Sequence, residues 1–89
     1  MEKVKTTEIF VSDKCPFCKP LIEDYENNPE KYEGQELINI NESMANLKRF
    51  LKYRDDLKGY EEAKAEGRAG VPSKVLDGVE VVFIKQEDI

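Results

Sequence analysis

The chain holds two cysteines, in Cys15-Pro16-Phe17-Cys18, set between a short apolar run (Ile9-Phe10-Val11) and a stretch with helical spacing. That junction constrains the fold more than any other feature. A strand must end and a helix begin within a few residues, which carries the first sulfur to a helix head. The first-turn N–H groups there have no partner within the helix, and the dipole is positive. A sulfur so placed is favoured as thiolate, the species that attacks disulfides. The neighbouring residues agree. Pro16 suits the first helical position, where a missing N–H costs nothing, and Pro20 is tolerated in the first turn. Cys15 is therefore expected at the cap, exposed, as the attacking nucleophile. Cys18 is expected one turn in, more buried, as the resolving thiol. Lys14 adds a cation beside the nucleophile.

Other uses of such a pair can be weighed by what they require. Structural zinc takes four ligands, usually cysteine or histidine, and this chain has two cysteines and no histidine. A disulfide across two residues closes a loop too small to restrict the unfolded chain by much. An inert pair of buried cysteines stays open. Redox or thiol-ligand chemistry fits the placement best.

At 89 residues the chain is expected to form one domain over 1–89. With 39% hydrophobic and 37% charged residues, it matches a soluble domain with a thin core. Nineteen acidic against 14 basic residues leave a net charge of −5, which argues against nucleic acid or an anionic membrane as partner. The stretch from Met1 to Glu8 has no apolar core of signal-peptide length, and no run approaches a membrane span. A cytoplasmic monomer is the expectation. In a reducing compartment a vicinal cysteine pair is more often catalytic than structural.

The rest of the chain alternates between strand and helix patterns. Glu8 to Val11 reads as a first strand, beginning near Lys3 and buried on both faces. A helix is expected from about Pro16 to Asn27, with Leu21, Ile22 and Tyr25 on one face, stopped by Pro29. Glu36 to Ile40 reads as a second strand. Asn41 is the expected N-cap of a second helix whose Met44, Leu47, Phe50 and Leu51 form a core-facing stripe to about Tyr53. A short helix over Tyr60 to Glu66 ends at Gly67. Ser73 to Leu76 and Val79 to Ile84 read as strands joined by Asp77-Gly78, a type I′ hairpin signal. The order is β-α-β-α-β-β, in which the crossovers are expected to make the first pairs parallel and the hairpin the last pair antiparallel.

With Cys15-Pro16-Phe17-Cys18 after the first strand and Gly70-Val71-Pro72 before the third, the chain resembles the glutaredoxins, within the thioredoxin-like superfamily. Segment order over nearly the whole chain is similar too. The resemblance implies an α/β fold: a thioredoxin-like β-α-β-α-β-β core, a mixed four-stranded sheet with helices packed on it, and a reduced C-terminal helix. It implies a cis Val71–Pro72 bond facing the cysteines. There the backbone of Val71 would pair with an extended peptide as an added strand does; the cysteinyl unit of glutathione is such a peptide. Phe17 stands where glutaredoxins usually carry tyrosine. Ser12 stands where many carry lysine, and Lys14 partly substitutes. Lys85-Gln86-Glu87-Asp88 replaces the family's Gly-Gly turn and acidic residue, leaving Asp88 as the approximate contact for the amino end of glutathione. Arg68 is a candidate for a glutathione carboxylate, since guanidinium binds carboxylates bidentately, or else a solvated charge.

The expected function is thiol–disulfide oxidoreduction of protein disulfides or glutathione mixed disulfides. No cofactor is bound tightly; glutathione is the co-substrate, and glutathione or a flavoprotein reductase supplies electrons. The partners are disulfide-containing proteins, and no metal site is expected. The alternative is a glutathione-assisted iron–sulfur cluster carrier that uses Cys15 of two chains, since cluster iron takes thiolate ligands. A third reading is a non-catalytic adaptor that holds a peptide along the Val71 edge.

Overall fold

A computed structural model describes residues 7–67 and 69–84. Strand β1 (Thr7–Val11) is followed by helix α1 (Lys19–Asn27), a 3-10 turn (Pro29–Tyr32), strand β2 (Gln35–Asn39) and helix α2 (Met44–Asp56). A second 3-10 turn (Lys58–Tyr60) runs into the short helix α3 (Glu61–Ala65), and strands β3 (Ser73–Leu76) and β4 (Glu80–Phe83) complete the order. The expected strand start near Lys3 and the stretch after Ile84, with the reduced C-terminal helix, lie outside the described residues.

All five residues of β1 are buried, as a continuous apolar run predicts for a strand covered on both faces. It lies inside a four-stranded sheet of order β2-β1-β3-β4. Strand β2 pairs with it in parallel, Phe10 opposite Ile38. Strand β3 pairs with it antiparallel, Phe10 opposite Ser73, and β4 is antiparallel to β3. The fold is thus α/β with a mixed sheet and helices packed against it. One expectation fails: only β1 and β2 are parallel. The reason is the turn and helix over 58–65, which return the chain to the end of the sheet where β1 finishes. The chain then enters β3 running the other way.

Side chains that alternate along β1 divide the core in two. Phe10 faces a cluster with Ile38, Ile40, Phe50, Tyr60 and Val75, on the α2 side. Ile9 and Val11 face the other way, onto Cys18 and Leu21 of the α1 side. Val71 packs against both clusters, at the junction of the two layers. Gly70 explains how the chain gets there. Its φ is +104°, and an added Cβ would lie 3.0 Å from Cδ1 of the Tyr60 ring. Only glycine tolerates that backbone against that neighbour.

Three local expectations are corrected. Ser43, not Asn41, caps α2: its side chain accepts the Asn46 N–H at 3.1 Å. Met44 and Leu51 are exposed, at 65% and 37%, because α2 meets the sheet through Leu47, Phe50 and Tyr53 and those two side chains lie off that line. The hairpin forms as expected, with Asp77 at φ 55° and Gly78 at φ 75°. Strand β4, however, begins at Glu80, and Leu76 pairs with Glu80 rather than Val79.

Candidate active site

The ends of β1 and β2 are tied where Ile40 N–H donates to Val11 O at 2.8 Å. Beyond Val11 the chain turns at once. Cys15 N–H donates to Ser12 O (3.1 Å), Cys18 N–H to Cys15 O (3.0 Å) and Ile22 N–H to Cys18 O (3.0 Å). The middle bond spans three residues, so Cys15 to Cys18 form a 3-10-like turn and the regular helix starts at Lys19. Cys18, not Cys15, is the capping residue, and Pro16 precedes the helix. The cause is Pro20, which falls within the first two helical positions. With no N–H it cannot donate to the carbonyl of Pro16, so the α-helical ladder cannot begin there.

The two cysteines differ in burial. Cys15 is half-buried, and Cys18 is fully buried between Val11, Ile9 and Leu21. Burial pushes the Cys18 thiol up to about 12; the Ser12 N–H opposes the shift, while the neighbouring Cys15 thiol adds to it. The Ser12 N–H lies 3.4 Å from Cys18 Sγ, so it is aimed at the sulfur that would carry charge if the thiol ionised.

The Val71–Pro72 bond is cis. Val71 packs on the same cluster that Cys15 rests against, which brings this corner and the cysteine turn to one end of the sheet. Pro72 is buried and its carbonyl accepts from Ile84 N–H at 3.1 Å. Among the described residues the backbone N–H and C=O of Val71 take no backbone partner. Lys14 and Phe17 flank the cysteines and are exposed, Phe17 at 62%. Arg68 and Asp88 lie outside the described residues.

Sequence reasoning missed a polar brace beneath the turn. The Asn41 side-chain amide donates to Ser12 Oγ and, at 3.1 Å, to Asp13 Oδ1. Asn39 Oδ1 accepts from Asp13 N–H at 3.3 Å and Asn41 N–H at 3.0 Å. The bonds from Asn41, and after them Asn39, hold the Asp13 carboxyl below the usual carboxylate range. The available signal was the Asn39-Ile40-Asn41 pattern at the end of β2, since loops at the carboxyl ends of strands in α/β sheets build sites.

Comparison with known proteins adds one relative. An uncharacterized protein of Haemophilus influenzae is 28% identical over 75 residues, which cover 84% of each chain. No protein-family model matches the chain, and no solved structure does. No helix among the described residues is long and apolar enough to cross a membrane.

Proposed function

We propose that this protein is a thiol–disulfide oxidoreductase of the glutaredoxin type on a thioredoxin-like fold, acting as a cytoplasmic monomer. One observation carries the reading. A half-buried Cys15 and a fully buried Cys18 share one turn at the head of α1, and the Val71–Pro72 corner packs on the cluster beneath them. An accessible sulfur beside a sequestered one is the division that dithiol exchange needs.

Cys15, as thiolate, attacks a sulfur of the substrate disulfide. A Cys15–substrate bond forms, the substrate bond breaks, and the departing thiolate takes a proton from water. Cys18 then attacks Cys15 Sγ and releases the second substrate sulfur, leaving the substrate reduced and the pair oxidised. Glutathione, or a flavoprotein reductase, returns two electrons. For a glutathione mixed disulfide a second glutathione resolves Cys15 directly. The backbone N–H and C=O of Val71, which take no backbone partner among the described residues, would pair with the cysteinyl unit of glutathione as an added strand does. Lys14 and Phe17, exposed beside the cysteines, would border the bound peptide, and Arg68 and Asp88 are assigned the terminal contacts by resemblance alone.

The test is disulfide reduction coupled to glutathione, using wild type, Cys15→Ser and Cys18→Ser. The wild type is expected to turn over. Cys15→Ser should fall to background, and Cys18→Ser should keep activity on glutathione mixed disulfides while losing it on protein disulfides. A folded wild type inactive with both glutathione and a flavoprotein reductase as donor would overturn the reading.

A further inference from the structure

We propose that Asn41 is a positioning residue for the resolving step: it braces Ser12 so that the Ser12 N–H bears on the Cys18 sulfur as that sulfur attacks. The inference rests on the dithiol reading above and deepens it.

Ser12 is the hub of the turn. Its N–H points at Cys18 Sγ (3.4 Å), its C=O accepts the Cys15 N–H (3.1 Å), and its hydroxyl accepts the Lys14 N–H (3.2 Å). The hydroxyl is also held by the Asn41 amide, 29 positions along the chain. The other amide proton of Asn41 goes to Asp13, and Asn41 is itself fixed through its N–H to Asn39 Oδ1. The end of β2 therefore clamps the loop that carries both sulfurs. Asn41 is exposed and joins neither core cluster, so apolar burial does not account for its placement. Asparagine suits the task because its amide offers two donors from one planar group.

In the resolving step Cys18 gives its proton to water and attacks Cys15 Sγ of the mixed disulfide. The Cys15–Cys18 bond forms and the Cys15–substrate bond breaks. The substrate sulfur leaves as thiolate and is protonated by water. The pair loses two electrons and the substrate disulfide gains them. Negative charge passes through Cys18 Sγ, and the Ser12 N–H is the donor that faces it. A hydrogen bond to a charged acceptor is worth more than one to a neutral one, so displacing Ser12 acts on this step above all.

The experiment follows the reduced protein with a chromogenic aromatic disulfide, a dithiobis-nitrobenzoate, in single turnover. The wild type should release coloured thiol in two phases, first on Cys15 attack and then on Cys18 closure. Asn41→Ala should slow the second phase about tenfold, the scale of one lost hydrogen bond to a charged group, and far more than the first. Ser12→Ala, which keeps the N–H but removes the hydroxyl that Asn41 holds, should act in the same direction. If Asn41→Ala does not fold, Asn41→Leu removes both donors at about the same size, adds no charge beside Asp13 and carries the same expectation. Two phases in the wild type with an unchanged second phase in the variants would overturn the inference and leave the dithiol reading standing. Equal slowing of both phases would mark general loosening and overturn it too. A wild type without a second phase would overturn the dithiol reading, and the inference with it.

Discussion

Tyr60 shows how much one side chain holds near the site. It is fully buried, with its ring edge-on to Phe50 (5.6 Å) and Phe83 (5.7 Å). Its hydroxyl meets Ser73 Oγ at 2.7 Å, and Ser73 follows directly on the Val71–Pro72 corner. Both groups are out of water, so each depends on the other for its hydrogen bond. Tyr60→Phe removes one partner and strands the Ser73 hydroxyl, which should lower stability by about 1–2 kcal/mol. Adding Ser73→Ala should recover part of that loss, because removing both polar groups leaves nothing unsatisfied. Urea unfolding of the two single variants and the double variant measures the coupling. Glu8 is a second buried polar residue with its needs met on the spot: Arg49 Nε donates to it at 2.8 Å and Tyr53 OH at 2.7 Å. Both partners come from α2, so this carboxylate fixes the helix to the centre of the sheet.

At the scale of elements, the joint between α1 and the 3-10 turn at Pro29–Tyr32 is held by Asp24. Its carboxylate accepts from Lys31 Nζ (2.8 Å), Tyr32 OH (2.5 Å) and Asn28 Nδ2 (2.7 Å). Lys31 first, then Tyr32, hold the carboxyl below the usual carboxylate value of 3.8. A depressed folded pKa stabilises the fold at pH above the unfolded value, and that contribution fades as pH falls through the folded value. Asp24→Asn should therefore melt lower than wild type at neutral pH. The gap should close in acid below the usual carboxylate pKa, once the wild-type group takes up its proton. Thermal melts across pH check both the sign and the window. A gap independent of pH would mean that the contacts at Asp24 act by shape alone. The Tyr32 phenol is pushed up to about 12, by burial and then by Asp24, so it donates to that carboxylate throughout this range.

Over the whole molecule, β1 is the member that both halves of the core share. Phe10 is fully buried and lies 5.3 Å from the Phe50 ring and 5.8 Å from the Tyr53 ring. Ile9, on the opposite face, belongs to the cluster that contains Cys18. Because one strand serves both layers, loss of either should loosen the whole domain rather than one side. Phe10→Ala should cost about 3–5 kcal/mol, much of the roughly 5–15 kcal/mol that holds a small domain together. Far-ultraviolet circular dichroism in urea should show a single, earlier transition. Two separate transitions would mean that the α1 and α2 layers unfold independently.

Local chemistry in the sequence determined a good deal by itself. The apolar run at Ile9 to Val11 required a strand covered on both faces. Asp77-Gly78 required left-handed backbone at two adjacent positions. These follow from short-range sterics and burial, which act over a few residues. The chain itself did not disclose the antiparallel entry of β3, because that depends on where a segment of weak pattern, 55–67, turns back. Nor did it disclose the first residue of α1, where two prolines compete for one helix start and the one inside the helix, Pro20, decides. The brace from Asn41 to Ser12 was least legible of all. Its partners stand 29 residues apart, and both were accounted for locally, one as a helix cap and one as a missing lysine. Only the parallel pairing of β1 with β2 brings the ends of those strands together. Hydrogen bonds between short polar side chains need that proximity before either residue shows what it is for.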